Sequence, residues 1–255
     1  MLRFCCLGSG SEGNATVIEA GDGLATTRIL LDNGFNGRQL RLRLARAGLA
    51  VEDLDAVVLT HEHSDHVGGV HTLLRQAALP LYCSAGTARA ASLEAAYSEV
   101  VAGEIVSIGA LQLMPFPVAH DAAEPLQYVF GDGDRRLGVL TDIGAPADAV
   151  FSALAGIDAL LLECNHDVEM LRASAYPPFL KVRILGDHGH LSNAQAAALL
   201  QQLDCRRLRW VAAAHLSRRN NQPHLARAAL AAVVGCADEE VLVADQDNGL
   251  TWQRC

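Results

Sequence analysis

This chain lacks most of the features that assign a protein to a class at first sight. It has no apolar run long enough to cross a bilayer, which argues against a transmembrane helix. Its seven cysteines are odd in number and form no C-x-x-C pair, a usage that suits reduced thiols in the cytoplasm. Met1 leads directly into a predicted strand with no signal peptide, so we expect a cytoplasmic protein with no membrane partner.

A basic excess is also missing. The formal net charge is −9, which is not typical of a protein that binds nucleic acid through a broad positive surface. The charge does not exclude such a partner, because metal ions and local arginines can supply a positive field. No internal repeat, low-complexity segment or linker is present. A chain of 255 residues with 51% hydrophobic content therefore predicts one domain, residues 1–255, with a sizeable core.

What the chain does contain is a dense cluster of metal-binding residue types. Four of them fall within six positions, between a predicted buried strand and a predicted helix: His61, His63, Asp65 and His66. A strand-to-helix loop is held by a rigid scaffold, which can aim functional side chains. Alternate side chains of an extended loop point the same way, so the first two histidines can meet one ion and the remaining pair a second. Imidazole and carboxylate suit zinc and related divalent ions, and two such ions form a hydrolytic site.

The order of these residues, H-x-H-x-D-H, resembles the signature of the metallo-β-lactamase superfamily. The resemblance implies an α/β fold of the αββα type, with two mixed β-sheets face to face, helices outside and the metals at one edge. It also implies three further ligands at the ends of later strands, and His120, Asp142 and His215 have those positions. Asp121 is a neighbouring alternative to His120, and Asp142 could instead cap a helix.

The same resemblance implies two divalent ions, Zn²⁺ or Mn²⁺, with one carboxylate shared between them. The first ion is expected to have the ligands His61, His63, His120 and Asp142. The second ion is expected to have the ligands Asp65, His66, Asp142 and His215.

Two segments outside the ligand set are expected near the site. Asp32 follows a predicted strand where the superfamily has an aspartate that accepts an imidazole N–H, although it could also cap the next helix. Residues 8–13 match the G-x-G-x-x-G dinucleotide fingerprint, but a β-branched strand follows where that fingerprint requires a helix. We therefore predict a hairpin loop, Gly8–Asn14, which either lines the site or is only a turn. Four arginines of the helix after Asp32 are predicted to lie on its solvated face: Arg38, Arg41, Arg43 and Arg46.

The last third of the chain indicates a branch of the superfamily. The stretch Gly189–Ser192, the helix after it, and the pattern His215-Leu216-Ser217-x-Arg219 resemble the transfer-RNA 3′-processing nucleases and related phosphodiesterases. The Gly8–Asn14 loop and the stretch Glu163–Asp167 add a resemblance to the YycJ/VicX-like bacterial branch, which is associated with DNA exonuclease activity.

These resemblances predict phosphodiester hydrolysis by a metal-bound hydroxide, with nucleic acid or a small phosphodiester as the partner. Asp65 and His190 are the predicted catalytic residues, and His190 would protonate the leaving oxygen. A helix N-terminus disfavours an imidazolium, so a carboxylate is needed beside His190, and Asp187 and Glu163 are the candidates. Three further residues are expected either to contact substrate or to have a structural role: Asn165, His166 and Ser217.

Two other functions remain open from the sequence. The metals alone would allow a carbon-centred hydrolase of a thioester, lactone or β-lactam, although the stretch from Gly189 to Asn221 argues against it. A non-catalytic metal-binding scaffold is the second alternative, and the complete ligand set argues against that. The sequence leaves the oligomeric state open.

Overall fold

The computed structural model describes residues 1–21, 23, 25–94 and 97–255. Within them the chain forms two seven-stranded sheets. The strands are β1 (Leu2–Gly8), β2 (Ala15–Gly21), β3 (Thr26–Leu31), β4 (Ala56–Val58), β5 (Leu81–Cys83), β6 (Ser98–Glu99), β7 (Val106–Ile108), β8 (Leu111–Pro117), β9 (Leu126–Gly131), β10 (Arg136–Leu140), β11 (Ala159–Glu163), β12 (Trp210–Ala214), β13 (Leu242–Val243) and β14 (Leu250–Arg254).

Both sheets are mixed. The first has the order β14-β1-β2-β3-β4-β5-β6, and its pairs are antiparallel from β14 to β3 and parallel from β3 to β6. The second has the order β13-β12-β11-β10-β9-β8-β7, and its pairs are parallel from β13 to β10 and antiparallel from β10 to β7. Parallel neighbours place the carboxyl ends of their strands at one edge, so loops that follow β10, β11 and β12 meet there.

Helices cover the outer faces of the sheets or lie in the loops at their edges. They are α1 (Gly37–Arg46), α2 (Ser64–Val67), α3 (Val70–Gln76), α4 (Ala85–Ala90), α5 (Asp148–Ala153), α6 (Val168–Ala173), α7 (Pro178–Leu185), α8 (Asn193–Gln202) and α9 (Pro223–Val234). Short 3₁₀ turns occupy Val51–Asp53, Cys205–Arg207 and Asp238–Glu240. No helix of the described residues combines the length and the hydrophobicity that crossing a bilayer requires.

Three apolar cores make this a four-layer sandwich, which confirms the αββα fold predicted from the sequence. Side chains of the two inner sheet faces form the central core, including Phe4, Ile18 and Tyr128. The outer face of the first sheet packs against α1, α3 and α4. The outer face of the second packs against α5, α8 and α9. Because each sheet is covered on both faces, neighbouring residues such as Val17 and Ile18 are both fully buried in different cores.

Some local predictions need correction. The stretch after His63 is a helical turn, since α2 begins at Ser64, so the predicted extended loop ends before Asp65. The composition of the stretch from Ala85 to Ala96 favours one helix, but α4 ends at Ala90, and residues 95 and 96 lie outside the described part of the chain. Helices α5, α6 and α7 were not predicted.

Arg43 is not on a solvated face, as the sequence pattern of α1 suggested. Its side chain is buried, with the guanidinium 3.9 Å above the ring of Phe35. Nη1 donates to the carbonyl oxygens of Leu7, Gln246 and Asp247. An arginine with five donors can satisfy several strand-end carbonyls at once, and this tie between both ends of the chain outweighs the preference of the charge for water.

Candidate metal centre

The seven predicted ligands come together at the edge where the strands end. His61 follows β4, His120 follows β8, Asp142 follows β10 and His215 follows β12. Three residues of the site have left-handed backbones, with φ of 58° at Asp32, 54° at Asp142 and 54° at His215. Asp and His tolerate this region better than most residues, and such conformations concentrate at functional sites because surrounding contacts must hold them.

The potential ligand atoms of the described residues form four overlapping groups, and two of these groups join the H-x-H-x-D-H stretch to a later histidine. Those of His61, His63 and His120 lie within 4.8 Å of one another, and His120 Nε2 is 3.3 Å from His63 Nδ1. Those of Asp65, His66 and His215 also lie within 4.8 Å, with Asp65 Oδ2 3.6 Å from Nε2 of each histidine. The sequence predicted these same histidines and Asp65 in two ligand sets, each completed by Asp142.

Asp142 lies between the groups and is only 2% exposed. Its Oδ2 is 3.1 Å from His66 Nε2 on one side, and its Oδ1 is 4.0 Å from His120 Nε2 on the other. Burial opposes ionisation of this carboxyl, but His215 and His66 hold its pKa well below the usual range. It does not cap α5, because Ala147 has that position.

Hydrogen bonds on the far side of the rings decide which nitrogens face the centre. His66 Nδ1 lies 2.8 Å from Asp32 Oδ2, and His120 Nδ1 donates to the carbonyl oxygen of Gly189 over 3.1 Å. Each bond fixes the tautomer whose Nε2 carries a lone pair, as in protein metal sites generally. Asp32 does not cap α1, where Asn36 is the N-cap.

Several of these buried atoms have no hydrogen-bond partner within the described residues. They include His61 Nε2 and His215 Nε2. Asp142 Oδ2 also makes no hydrogen bond, despite its short distance to His66. Unpaired polar atoms in a core are costly, so clustered ones call for an explanation such as an ion. Burial lowers the pKa of His61 well below the ordinary value, and His66 lowers it further, which favours the neutral ring that a metal needs.

Glu163, at the end of β11, lies beside the second group, and its carboxylate is within 4.8 Å of potential ligand atoms of Asp142, His190 and His215. It is fully buried, and both oxygens accept hydrogen bonds. Oε1 contacts His215 Nδ1 at 3.1 Å and accepts from the Asp142 amide, while Oε2 accepts from the amides of Ile143 and Leu191. A carboxylate so engaged orients ligands rather than binding metal. Burial opposes the charge, but His190 lowers the pKa of Glu163 to about 2.

His190 stands beside this carboxylate at the cavity. Its Nδ1 is 2.8 Å from Glu163 Oε1 and 3.6 Å from Asp142 Oδ1. Burial works against a charged ring, but Glu163 raises the pKa of His190. Of the two acids considered for this contact, Glu163 makes it and Asp187 does not. A capping box of Ser192 with Gln195 begins α8 just after His190.

The cavity above the cluster has a volume of about 360 Å³. Asn165 and Ser217 line it, and the Asn165 amide also donates to the His215 carbonyl oxygen. His166 is different, because it is fully buried and does not line the cavity, which favours the structural role of the two that the sequence left open. The remaining wall is supplied by Ser11, Ser64, Asp121, Tyr176, Leu180, Arg183, Ile184 and Gly189.

Two contacts of the site were missed by sequence reasoning. The Asn14 amide nitrogen lies 3.0 Å from His66 Nε2 and 3.3 Å from Asp65 Oδ2, so the glycine-rich loop does reach the centre. Thr60 Oγ1 donates to Asp32 and lies 3.0 Å from His61 Nδ1. Their positions were the only signal in the sequence: Thr60 directly precedes His61, and Asn14 ends the Gly8–Asn14 loop.

Comparison with known proteins identifies the family. Residues 27–211 match the Beta-lactamase superfamily domain. The chain belongs to the metallo-β-lactamase superfamily. This fold implies divalent metal ions, and the donor atoms described above suit them. The family that the H-x-H-x-D-H stretch predicted is thereby confirmed.

Relatives within the superfamily match nearly the whole chain. It is 34% identical over 241 residues to Exodeoxyribonuclease YycJ of Bacillus anthracis, covering 91% of this chain and 89% of that protein. It is 34% identical over 245 residues to Exodeoxyribonuclease WalJ of Streptococcus pneumoniae, covering 93% and 90%. Among solved structures, the metallo-β-lactamase fold protein YhfI of Bacillus subtilis covers 99% of this chain and 98% of its own, with a TM-score of 0.74 and 15% identity. This last likeness concerns the fold.

Proposed function

We propose that this protein is a metal-dependent phosphodiesterase that degrades nucleic acid, with DNA exonuclease activity as its principal reaction. One observation carries the proposal: His190, backed by Glu163, lines the same cavity as the metal-binding cluster. A phosphodiester needs both charge neutralisation and a proton for its leaving oxygen, and this cavity offers groups for each. The 34% identity to two exodeoxyribonucleases over about nine-tenths of the chain supports nucleic acid as the substrate.

Two divalent ions would be held by the seven side chains. We assign one ion to His61, His63, His120 and Asp142, and the other to Asp65, His66, Asp142 and His215. Bound there, two such ions neutralise phosphate charge and lower the pKa of a water molecule. Zn²⁺ suits a set rich in imidazole, and Mn²⁺ suits the carboxylates, so both belong in the assays.

The protein's own groups then orient and move protons. Because His190 Nδ1 donates to Glu163, its Nε2 is the atom available to protonate the leaving oxygen. Asp65 lines the cavity and accepts a hydrogen bond from the attacking water. Asn165 and Ser217 contact the phosphodiester from the loop side, where both already line the cavity.

A panel of substrates tests this proposal. Protein loaded with Zn²⁺ or Mn²⁺ is expected to hydrolyse bis-p-nitrophenyl phosphate and to shorten labelled DNA from an end. Labelled RNA in the same panel measures whether the enzyme prefers deoxyribose or ribose in the substrate. Nitrocefin and a thioester serve as carbon-centred comparisons and are expected to stay intact. Turnover of either carbon-centred substrate with every diester intact would replace the proposal with a carbon-centred hydrolase.

A further inference from the structure

Helix α7 carries apolar surface that no other described residue covers. None of its residues, Pro178–Leu185, is buried. Phe179 is 75% exposed and Val182 71%, the highest values among the large hydrophobic side chains of the described residues, and Leu185 is 42% exposed. Apolar side chains clustered in this way on a surface mark an interaction site more often than chance exposure.

This helix is part of the candidate active site. Leu180, Arg183 and Ile184 line the cavity, and the Arg183 guanidinium pairs with Asp121, next to the metal-binding His120. The Ile184 carbonyl oxygen accepts from the His190 amide over 3.0 Å. One side of α7 is therefore fixed to the site, while Phe179 and Val182 point into solvent beside it.

The charge of this region contrasts with that of the whole chain. Residues 170–186 contain Arg172, Lys181 and Arg183 and no acid, although the net charge of the chain is −9. Arg172 pairs with Glu169 and Arg183 with Asp121, so Lys181 is the cation of this stretch without an ion pair in the described part of the chain. Lys181 is the only lysine in the sequence, and its Nζ donates to the Arg172 carbonyl oxygen rather than to a carboxylate. Residues 205–237 likewise contain no acid.

An aromatic and a cation also meet at this cavity. The Arg219 guanidinium lies 5.9 Å from the ring centroid of Tyr176, and Tyr176 lines the cavity. Arg219 is exposed and pairs with no carboxylate of the described residues. A guanidinium of this kind remains available for a phosphate, while an aromatic ring beside it can receive a base.

We propose that α7, with Tyr176 and Arg219, binds the single-stranded part of a nucleic-acid substrate next to the bond that is cut. The inference rests on the proposed function and names the substrate form. Exposed Phe179 stacks on an unpaired base, and Lys181 and Arg219 bind neighbouring phosphates. Aromatic platforms combined with cations are how proteins hold single strands without reading sequence. A second copy of the chain fits less well, because a two-fold contact through α7 would bring its cations close to one another.

Kinetics on substrates of two sizes test the proposal. Phe179→Ala should lower kcat/KM on a single-stranded oligonucleotide of ~12 nucleotides about tenfold, mainly through KM, because one stacking contact is lost. The loss on bis-p-nitrophenyl phosphate should be much smaller, and Phe179→Trp should restore activity on the oligonucleotide. Ile105→Ala is the matched control, since Ile105 is 62% exposed and lies outside the cavity lining. Equal losses on both substrates, or none on either, would overturn the proposal.

A binding measurement separates this inference from the proposed reaction. The unique Lys181 can be acetylated in solution and followed by mass spectrometry with and without the same oligonucleotide. Two results support binding at α7 even if no nucleic acid is cleaved. The oligonucleotide protects Lys181 from acetylation, and Phe179→Ala binds the labelled oligonucleotide more weakly by fluorescence anisotropy. Cleavage without protection overturns the surface and leaves the reaction standing. A concentration-dependent dimer that Phe179→Ala abolishes, with oligonucleotide binding unchanged, identifies a second copy as the occupant and overturns it too.

Discussion

Glu163 Oε1 lies 2.8 Å from Nδ1 of His190. The same oxygen lies 3.1 Å from Nδ1 of His215. One buried carboxylate therefore contacts the rings of both a proposed proton donor and a proposed metal ligand. Carboxylates behind metal-bound histidines fix the tautomer and the ring orientation. Glu163 therefore links the two parts of the proposed chemistry, proton donation by His190 and metal binding by His215.

We expect Glu163→Gln to lower kcat on a DNA substrate about 10–100-fold and to weaken metal binding. The amide cannot accept from both histidines and from the backbone with the same strength, so both rings lose their orientation. Activity and metal content per chain are the measurements. Glu169→Gln is the control, because Glu169 is an exposed residue that pairs only with Arg172. Wild-type kcat and metal content in Glu163→Gln would contradict the positioning role.

His190→Ala separates proton donation from metal binding. We expect the variant to keep its fold and its metals and to lose about 10²–10⁴-fold in kcat on a diester with a poor leaving group. The loss should shrink on a p-nitrophenyl diester, whose leaving group scarcely needs a proton. Kinetics on both substrates are measured beside metal content. Equal losses on the two diesters, or a metal deficit, would remove His190 from the catalytic residues.

Asp142→Ala tests whether one carboxylate serves both donor groups. Elemental analysis of gently purified wild-type protein should approach two divalent ions per chain, which is the number implied by the two groups. The variant should bind less of both ions, because Asp142 is close to ligands of each group. Loss of one ion with full retention of the other would show that Asp142 is not shared. Full activity of metal-free wild-type protein would exclude the proposed mechanism.

Asp158 gives a prediction for stability against pH, away from the site. Its side chain is 1% exposed. The carboxylate accepts hydrogen bonds from the Arg136 amide and from the guanidinium groups of Arg135 and Arg207. Burial opposes ionisation, but these donors lower the pKa of Asp158 below the ordinary value. The stabilisation is complete above pH ~4, where an unfolded aspartate is ionised, and is lost as the pH falls through the lower folded pKa.

Asp158→Asn should therefore lower the free energy of unfolding at pH 7 by about 1–3 kcal/mol. The difference from the wild type should shrink as the pH falls below 4, as measured by Tm from pH 2 to pH 7. Asp134→Asn is the control, because Asp134 is 86% exposed and its contact with Arg135 is worth little in water. A difference in Tm that stays constant across this pH range would contradict the assignment.

The sequence was informative where the residue type and the chain order were both restrictive. The H-x-H-x-D-H stretch, with a histidine or aspartate at the ends of β8, β10 and β12, predicted the family and the fold, and the side chains it indicated do converge. Contacts that depend on a long separation along the chain were not predictable. The sequence offered Glu163 only as one of two acids that could lie beside His190, and its further contact with His215 arises only when β11 and β12 pair in parallel.

Local pattern misled in two other places. The interleaved arginines of α1 favoured a solvated face, but Arg43 packs on Phe35 and binds carbonyl oxygens contributed by both ends of the chain. Helix α7 escaped prediction because it buries no residue and so shows no division into an apolar and a polar face. Helix-forming segments without that division carry little periodic signal.

The left-handed backbones at Asp32, Asp142 and His215 have a consequence for the order of assembly. Each sits where a strand ends, and contacts from neighbouring strands and loops hold its φ. The donor groups draw on loops from both sheets, so we expect the full set of ligands to assemble only after both sheets have formed. Hydrogen exchange of metal-depleted protein should accordingly find the central strands as slow as before, while the amides of these three loops exchange faster. Metal binding would then be the last step in forming the protein, because the metal-free chain would already be folded.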